Sequence, residues 1–267
     1  MSKGIVVVAQ NNNSIDYVEC ARTLAKSIRK TNPNLPISLI TDVVLEDNNF
    51  DSIIEFPHMD RSTVDNKFIN DWQVYDASPY EETFKIESDV IITRSLNSWW
   101  DACSNRQLAI AHGCVDYKNN LNYARDYRIL FEKNDLPDVY NGITYFKKGK
   151  IAEDFFVIAK TIFENWDDYK NVLRYCPDNE IATTDVVYAL ATIIHGEEKC
   201  LIPSAINPLK WVHMKPKIID IVSDDWTKEL FFEILHNGQV KICNYSQFYP
   251  VHYVHKSLAT VLGSYYD

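Results

Sequence analysis

Along the chain, short runs of β-branched residues alternate with longer stripes of apolar residues at helical spacing, and this pattern predicts most of the elements. Residues 5–9 are continuously apolar and end in Gln10-Asn11-Asn12-Asn13, the pattern of a buried first strand opening onto a polar loop. From 16 to 30, Tyr17, Cys20, Ala21, Leu24 and Ile28 recur on one helical face. Acids lie in the first turn and Lys26, Arg29 and Lys30 near the end, as the helix dipole favours. Asn32-Pro33-Asn34-Leu35-Pro36 stops that helix, and 37–41 is a second strand. A strand–helix–strand unit of this kind makes the sheet begin parallel.

Residues 53–56 read as a short strand, and Val64, Phe68, Trp72 and Tyr75 mark a second amphipathic helix. Ser78-Pro79-Tyr80 then turns the chain into a strand that carries Glu87 and Asp89. After a strand at 108–111 and a polar, aromatic stretch, 140–146 reads as a strand interrupted near its start by Asn141-Gly142. Helical faces follow at Ile151, Phe155, Ile158, Ala159, Ile162 and Phe163, and at Val186, Val187, Leu190, Ile193 and Ile194. The second of these is capped by Thr183 or Thr184 and ended by Gly196. Residues 226–237 are expected to be helical up to Gly238, with a last short strand at 251–254. No repeat or linker divides the chain. One α/β domain over 1–267 is expected, with a mixed, mostly parallel sheet flanked by helices.

Composition narrows the class. A chain of 267 residues that is 46% apolar buries a sizeable core and is not disordered. The balance of 27 basic to 37 acidic residues argues against wide, sequence-blind binding to a polyanion. A local basic groove stays open, with Lys147-Lys148-Gly149-Lys150 and 210–217 as candidates. The six cysteines are scattered without a C-x-x-C pair, which speaks against zinc or dithiol chemistry. Residues 1–4 run straight into a strand, and no apolar run approaches membrane-spanning length, so a reduced, soluble, cytoplasmic protein with no membrane partner is expected.

The chemistry centres on Phe84-Lys85-Ile86-Glu87-Ser88-Asp89-Val90-Ile91-Ile92. Two carboxylates one residue apart, between apolar runs, are costly to desolvate unless a cation meets them. Two readings are open: a seat for a divalent metal carrying a diphosphate, or a strand-end turn with two solvated acids. Neither G-x-G-x-x-G nor G-x-x-x-x-G-K-[ST] is present, so a phosphorylated ligand would need metal, Lys or Arg to neutralise it. Strand alternation sends His252 and Val254 to one face and Tyr253 and His255 to the other, and an imidazole at 252 could complete a metal site. Most single strand histidines are structural. Asp178, Glu180 and Asp185 crowd a helix start, where the simple reading is dipole stabilisation and the functional one an acid facing the sheet's carboxyl edge. Ser88, between two acids, and His195, late in a helix, are poor candidates for nucleophilic catalysis.

Taken in order, these motifs resemble glycosyltransferases of the GT-A fold, of the retaining glycogenin and bacterial galactosyltransferase type. Ala9-Gln10-Asn11-Asn12 and Tyr17 look like the nucleotide-base pocket, and Glu87-Ser88-Asp89 like the D-x-D metal motif. Asn141-Gly142 resembles the Asn-x-Gly element near the donor sugar, and Thr184-Asp185-Val186 the Asp-Gln pair that opens a helix. His252 followed by Lys256 resembles the terminal His-…-Lys that serves metal and diphosphate, and Lys67 falls where the family places a basic residue against the donor. The departures are Glu87 for Asp, Asn-Gly without its middle residue, Val186 for Gln, and no Lys-Pro-Trp ending.

The resemblance implies a nucleotide-sugar donor, UDP-linked, bound in 1–112, with 113–267 forming the acceptor side and a C-terminal extension. It implies Mn2+ or Mg2+ on Asp89, His252 and Glu87, the last directly or through water. Asn141, Asp185 and Lys256 would act in transfer, while Ser88, Gly142 and Lys256 would join the loop residues and Lys67 in holding the donor. The Asn- and Tyr-rich chain is also similar in style to sugar transferases of T-even-like bacteriophages, which implies hydroxymethylated cytosine in DNA as acceptor and the host cytoplasm as location. Trp211, Tyr123 and Tyr127 would line a pocket for a flipped base. The alternatives are a saccharide or protein acceptor, a nucleotidyltransferase, or a non-catalytic nucleotide-binding module.

Overall fold

A computed structural model describes residues 2–58, 67–223 and 225–267, without the side chains of Lys67 and Phe68. The first half contains strands β1 (Lys3–Ala9), β2 (Ile37–Thr41), β3 (Ser52–Ile54), β4 (Glu82–Glu87), β5 (Val90–Ile91) and β6 (Leu108–His112). Next come β7 (Cys114–Val115), β8 (Leu121–Asn122), β9 (Val139–Lys147) and β10 (Val212–His213). Strands β11 (Phe232–Ile234), β12 (Val240–Ile242), β13 (Tyr245–Ser246) and β14 (Val251–His252) complete the set.

The main sheet has the order β3-β2-β1-β4-β9-β6. Its first four members run parallel, and β9 runs antiparallel to both β4 and β6, giving the expected mixed, mostly parallel sheet. Strand β1 is central, so Ile5, Val6 and Val7 are all fully buried and the strand reads as an unbroken apolar run. Helix Tyr17–Thr31 starts at Asp16, whose carboxylate accepts from the Glu19 N–H at 3.0 Å, and packs on β1 and β2. Helices Lys150–Glu164 and Thr184–His195 pack on each other, and the second packs on β9. Among the described residues no helix is long and apolar enough to cross a membrane, and the six cysteines are unpaired.

Two features of this topology make a site. The chain adds β2 and β3 on one side of β1, then returns to add β4 on the other, and that reversal opens a crevice at the carboxyl ends of β1 and β4. A second sheet, β5-β14-β10-β7-β8, begins where β4 ends. The strand expected to carry both acids is therefore two strands in two sheets, and Ser88-Asp89 is the turn between them. Glu87 closes the first sheet, while Asp89 opens the second.

Four other expectations need correction. Strand β9 is continuous and buried through Asn141-Gly142; what breaks there is its pairing with β6. Ile110 meets Thr144 while Ala111 meets Tyr140, so Asn141 to Ile143 are skipped. The helix expected from Val64, which lies outside the described residues, is a 3-10 helix Lys67–Gln73 followed by one α-turn Val74–Ala77. Its tight coil carries polar Asn70, Asp71 and Gln73 inward, where Gln73 donates to Asn70 at 3.0 Å. Residues 226–237 form a 3-10 turn Trp226–Lys228 and then the hairpin β11–β12, not a helix. Phe232 and Ile234 face inward while Glu233 is exposed, a two-residue period, and Asn237-Gly238 supplies the turn. Lys147-Lys148-Gly149-Lys150 is no basic groove: Lys147 pairs with Glu82, Lys148 donates to the Tyr75 carbonyl, and Lys150 pairs with Asp154.

The hairpin carries a prediction. Gly238 has φ +83°. Gly238→Ala should therefore destabilise the protein by about 1 kcal/mol in urea unfolding.

Candidate active site

The Ser88-Asp89 turn is held from the far end of the chain. The Tyr253 N–H donates to the Asp89 carbonyl at 3.1 Å, and His252 of β14 is the register partner of Val90. His252 Nε2 thereby lies 2.7 Å from Asp89 Oδ2 and 3.8 Å from Glu87 Oε2. Strand β14 ends at His252 instead of continuing to 254. Val254 adopts φ +61°, and the His255 N–H donates to the Tyr253 carbonyl at 2.6 Å, a γ-turn rare for a β-branched residue. Beyond this turn, Lys256 Nζ lies 2.7 Å from the same Asp89 Oδ2.

The environment splits the two acids. Burial pushes the Asp89 carboxyl up, but His252 and Lys256 together outweigh it and hold the group well below the usual carboxylate range. Burial also raises Glu87; His252 offsets part of this, while the Asp89 and Asp185 carboxylates add to it, leaving the group at about 7. One ligand atom each from Glu87, Asp89 and His252 lies within 4.8 Å of the others. Two carboxylate oxygens and one imidazole nitrogen suit Mn2+ or Mg2+, and a cation there would supply the positive charge that Glu87 lacks.

His252 does not stand alone. Its register partner across β14 and β10 is His213, and their Nδ1 atoms are 2.8 Å apart. The two rings are within 8° of coplanar, and each lies nearly parallel to the Trp211 indole. Burial, His252 and Lys215 hold His213 well below its ordinary pKa, so it is neutral. Trp211 in turn occupies the space of a missing side chain: a Cβ on Gly142 would sit 2.2 Å from its ring. Gly142 thus serves packing behind the cleft and is not among its lining residues.

A cleft of about 440 Å³ lies over the crevice and gathers most of the expected residues: Gln10, Asn12, Tyr17, Glu87, Ser88, Asp89, Asn141, Asp185, His252 and Lys256. Ala9 is buried beneath it, and Asn11 turns its side chain to accept from the Val18 N–H at 3.0 Å. The side chain of Lys67 lies outside the described residues. Asp185 Oδ1 accepts from the Asn141 N–H at 2.8 Å and Oδ2 pairs with Arg128 at 2.6 Å, so both oxygens are fixed. Asp178 and Glu180 lie away from the cleft, and Val186 is fully buried in the core. Of the three rings expected around a flipped base, Trp211 and Tyr127 line the cleft, the first against the two imidazoles and the second hydrogen-bonded to Tyr140 at 2.8 Å, while Tyr123 lies outside it.

Four lining residues escaped sequence reasoning: Asp71, Lys85, Arg128 and His213. Lys85 is buried in β4, with Nζ 2.7 Å from Asp71 Oδ1, and Tyr188 donates to the other oxygen of Asp71 at 2.6 Å. A lysine inside an apolar strand is a readable signal, because such a charge needs a buried partner. His213 follows Trp211 by two residues, but only strand register reveals its contact with His252.

No family model matches the chain, and no curated protein does. Solved structures do. The glycosyltransferase GlyE of Streptococcus pneumoniae TIGR4 aligns over 100% of this chain and 60% of its own, with 13% identity and a TM-score of 0.51. The galactosyltransferase LgtC, solved with donor and acceptor sugar analogs, aligns over 75% of this chain and 73% of its own, with 15% identity and a TM-score of 0.48. Mouse xyloside xylosyltransferase 1 aligns over 76% and 85%, with 10% identity and a TM-score of 0.46. The likeness to GlyE shows a shared fold, of GT-A type.

The coplanar imidazole pair carries a prediction of its own. A histidine that ligates through Nε2 keeps its proton on Nδ1 and needs an acceptor there, which His213 provides. His213→Phe keeps a flat ring on Trp211 and removes the acceptor. Calorimetric titration should show Mn2+ affinity falling about 10- to 100-fold with an unchanged melting transition.

Proposed function

We propose that this protein is a metal-dependent glycosyltransferase that moves a sugar from a UDP-linked donor to a hydroxyl group. One observation carries the reading: Glu87, Asp89, His252 and Lys256, from two segments far apart in the chain, converge at the β1/β4 crevice of a GT-A type fold. The end of β1 with Gln10 and Asn12, together with Tyr17, faces the nucleoside end of the donor, and 113–267 contributes most of the acceptor side.

Asp89, His252 and Glu87 would hold Mn2+ or Mg2+, which when bound supplies positive charge to a departing diphosphate. Lys256 adds a fixed ammonium at the same place. Its pKa is raised despite burial, because Asp89 lies against it, so it stays charged. Asp185 is locked by Asn141 and Arg128, and an immobile carboxylate there can orient the donor sugar or stabilise positive charge developing at its anomeric carbon. Val186, at the next position, is in the core and offers the cleft no group. Among the described residues no side chain is placed as an evident nucleophile, which supports front-face attack with retention, the departing phosphate helping to take the acceptor's proton. Hydroxymethylated cytosine in DNA is the leading acceptor; a saccharide or protein hydroxyl is the alternative.

Asp89→Asn tests the site. UDP with Mn2+ should raise the melting temperature of the wild-type protein and leave that of the variant unmoved, the variant itself melting lower without ligand because Lys256 and His252 lose their buried carboxylate. Unaltered stabilisation would contradict the reading in favour of a turn with solvated acids. Incubation with UDP-sugars and hydroxymethylated DNA, followed by digestion and mass analysis, should add one sugar mass to the modified nucleoside. No shift with any UDP-sugar would remove DNA as acceptor.

A further inference from the structure

The cations at the cleft mouth are unevenly matched. Lys256 pairs with Asp89, and Arg128 with Asp185. Lys215 is partly buried with its ammonium 5.0 Å from the centre of the Tyr127 ring, and Lys217 is exposed two residues on. Among the described residues, neither lysine has a carboxylate within ion-pair distance. Burial and the nearby Arg128 depress the Lys215 ammonium; Asp185 opposes them, and Lys217 and Lys256 add to the depression. Lys215 thus shares the cleft lining with Arg128, Lys256 and a single nearby carboxylate that opposes them, Asp185, in a chain whose net charge is −10. Such crowding raises the energy of the empty site and is relieved by a bound anion.

The surface extends this charge outward. Tyr127 and Arg128 line both the cleft and an adjoining depression that also holds Lys217, Arg125 in its pair with Asp135, and the acids Asp126 and Glu132. Arg125 also borders the next depression, where the ring of Tyr123 is 41% exposed. Cations followed by an exposed aromatic ring suit a single nucleic-acid strand, with phosphates on the cations and a base on the ring. Beyond Arg125 the surface turns acidic, with Glu197, Glu198 and Asp138. The positive stretch is short and fits two or three phosphates, not a long backbone.

We infer that Arg128, Lys215 and Lys217 form a phosphodiester site beside the donor cleft, and that the sugar acceptor is a nucleic-acid strand entered from this side. The inference rests on the glycosyl-transfer reading for its direction, because Lys256 and the metal ligands already account for the donor's diphosphate. A site built from so few contacts reconciles an anionic acceptor with an acidic protein.

The test titrates a fluorescein-labelled 12-nucleotide DNA strand into protein saturated with UDP and Mn2+, read by anisotropy at several salt concentrations. Binding is expected, with a slope of about −2 in log K against log salt, as two or three phosphate contacts give. A peptide nucleic acid of the same sequence, which lacks phosphates, should not bind. The Lys215→Gln/Lys217→Gln variant should bind DNA about tenfold or more weakly with a flatter salt slope, yet keep its full melting shift with UDP and Mn2+. Equal binding by the variant, equal binding of the peptide nucleic acid, or no DNA binding by the wild-type protein would overturn the inference. Loss of the UDP–Mn2+ shift in the variant would also overturn it, by assigning the lysines to the donor. Lysine-dependent DNA binding without any UDP–Mn2+ shift in the wild-type protein would instead uphold the phosphate site and fail the glycosyl-transfer reading.

Discussion

A single carboxylate oxygen, Oδ2 of Asp89, joins the two sheets of this protein. It lies 2.7 Å from His252 Nε2 and 2.7 Å from Lys256 Nζ, although more than 160 residues separate the partners in sequence. Each partner alone would be an expensive buried group. Together they offset one another, and the turn between β4 and β5 is fixed by the strand that ends the fold. The backbone bond from Tyr253 to Asp89 and the left-handed turn at Val254 aim Lys256 back at the same atom. Strain at Val254 is tolerated because the contacts on both sides of it determine its place.

This arrangement explains why the two acids differ. Asp89 is held well below the usual carboxylate range by His252 and Lys256 and is an anion at any ordinary pH. Glu87, with one residue between it and Asp89, meets His252 only at 3.8 Å and faces two other carboxylates. The pair is therefore primed for a divalent cation without being torn apart in its absence. Behind it, the glycine at 142 admits Trp211, Trp211 supports both imidazoles, and His213 sets the orientation of His252. In the function proposed for the cleft, this packing matters as much as the residues that would hold the metal.

Much of this was legible in the sequence, for identifiable reasons. Buried strands such as β1 announce themselves by unbroken apolar runs, and the helix after it by its stripe, cap and charge order. Ordered motifs single out Asp89, His252 and Lys256, which the fold joins through 2.7 Å contacts to Asp89. What escaped depends on contacts between distant segments. His213 matters only through its register with His252, and Gly142 only through Trp211; neither relation has a local signature. Lys85 did have one, as a charge inside an apolar strand. The hairpin at 232–242 was missed although Asn237-Gly238 and the alternation of Phe232, Glu233 and Ile234 announce it. An apolar run read at helical period hid a strand period.

The central claim is that Glu87, Asp89 and His252 seat a divalent cation at the β1/β4 crevice. Diffraction at the manganese edge, from crystals grown with UDP and Mn2+, measures this most directly. The account predicts one anomalous peak in contact with an Asp89 oxygen and His252 Nε2, with the diphosphate against it and Lys256. A manganese peak elsewhere, or UDP bound in the cleft with no metal between these side chains, would contradict it.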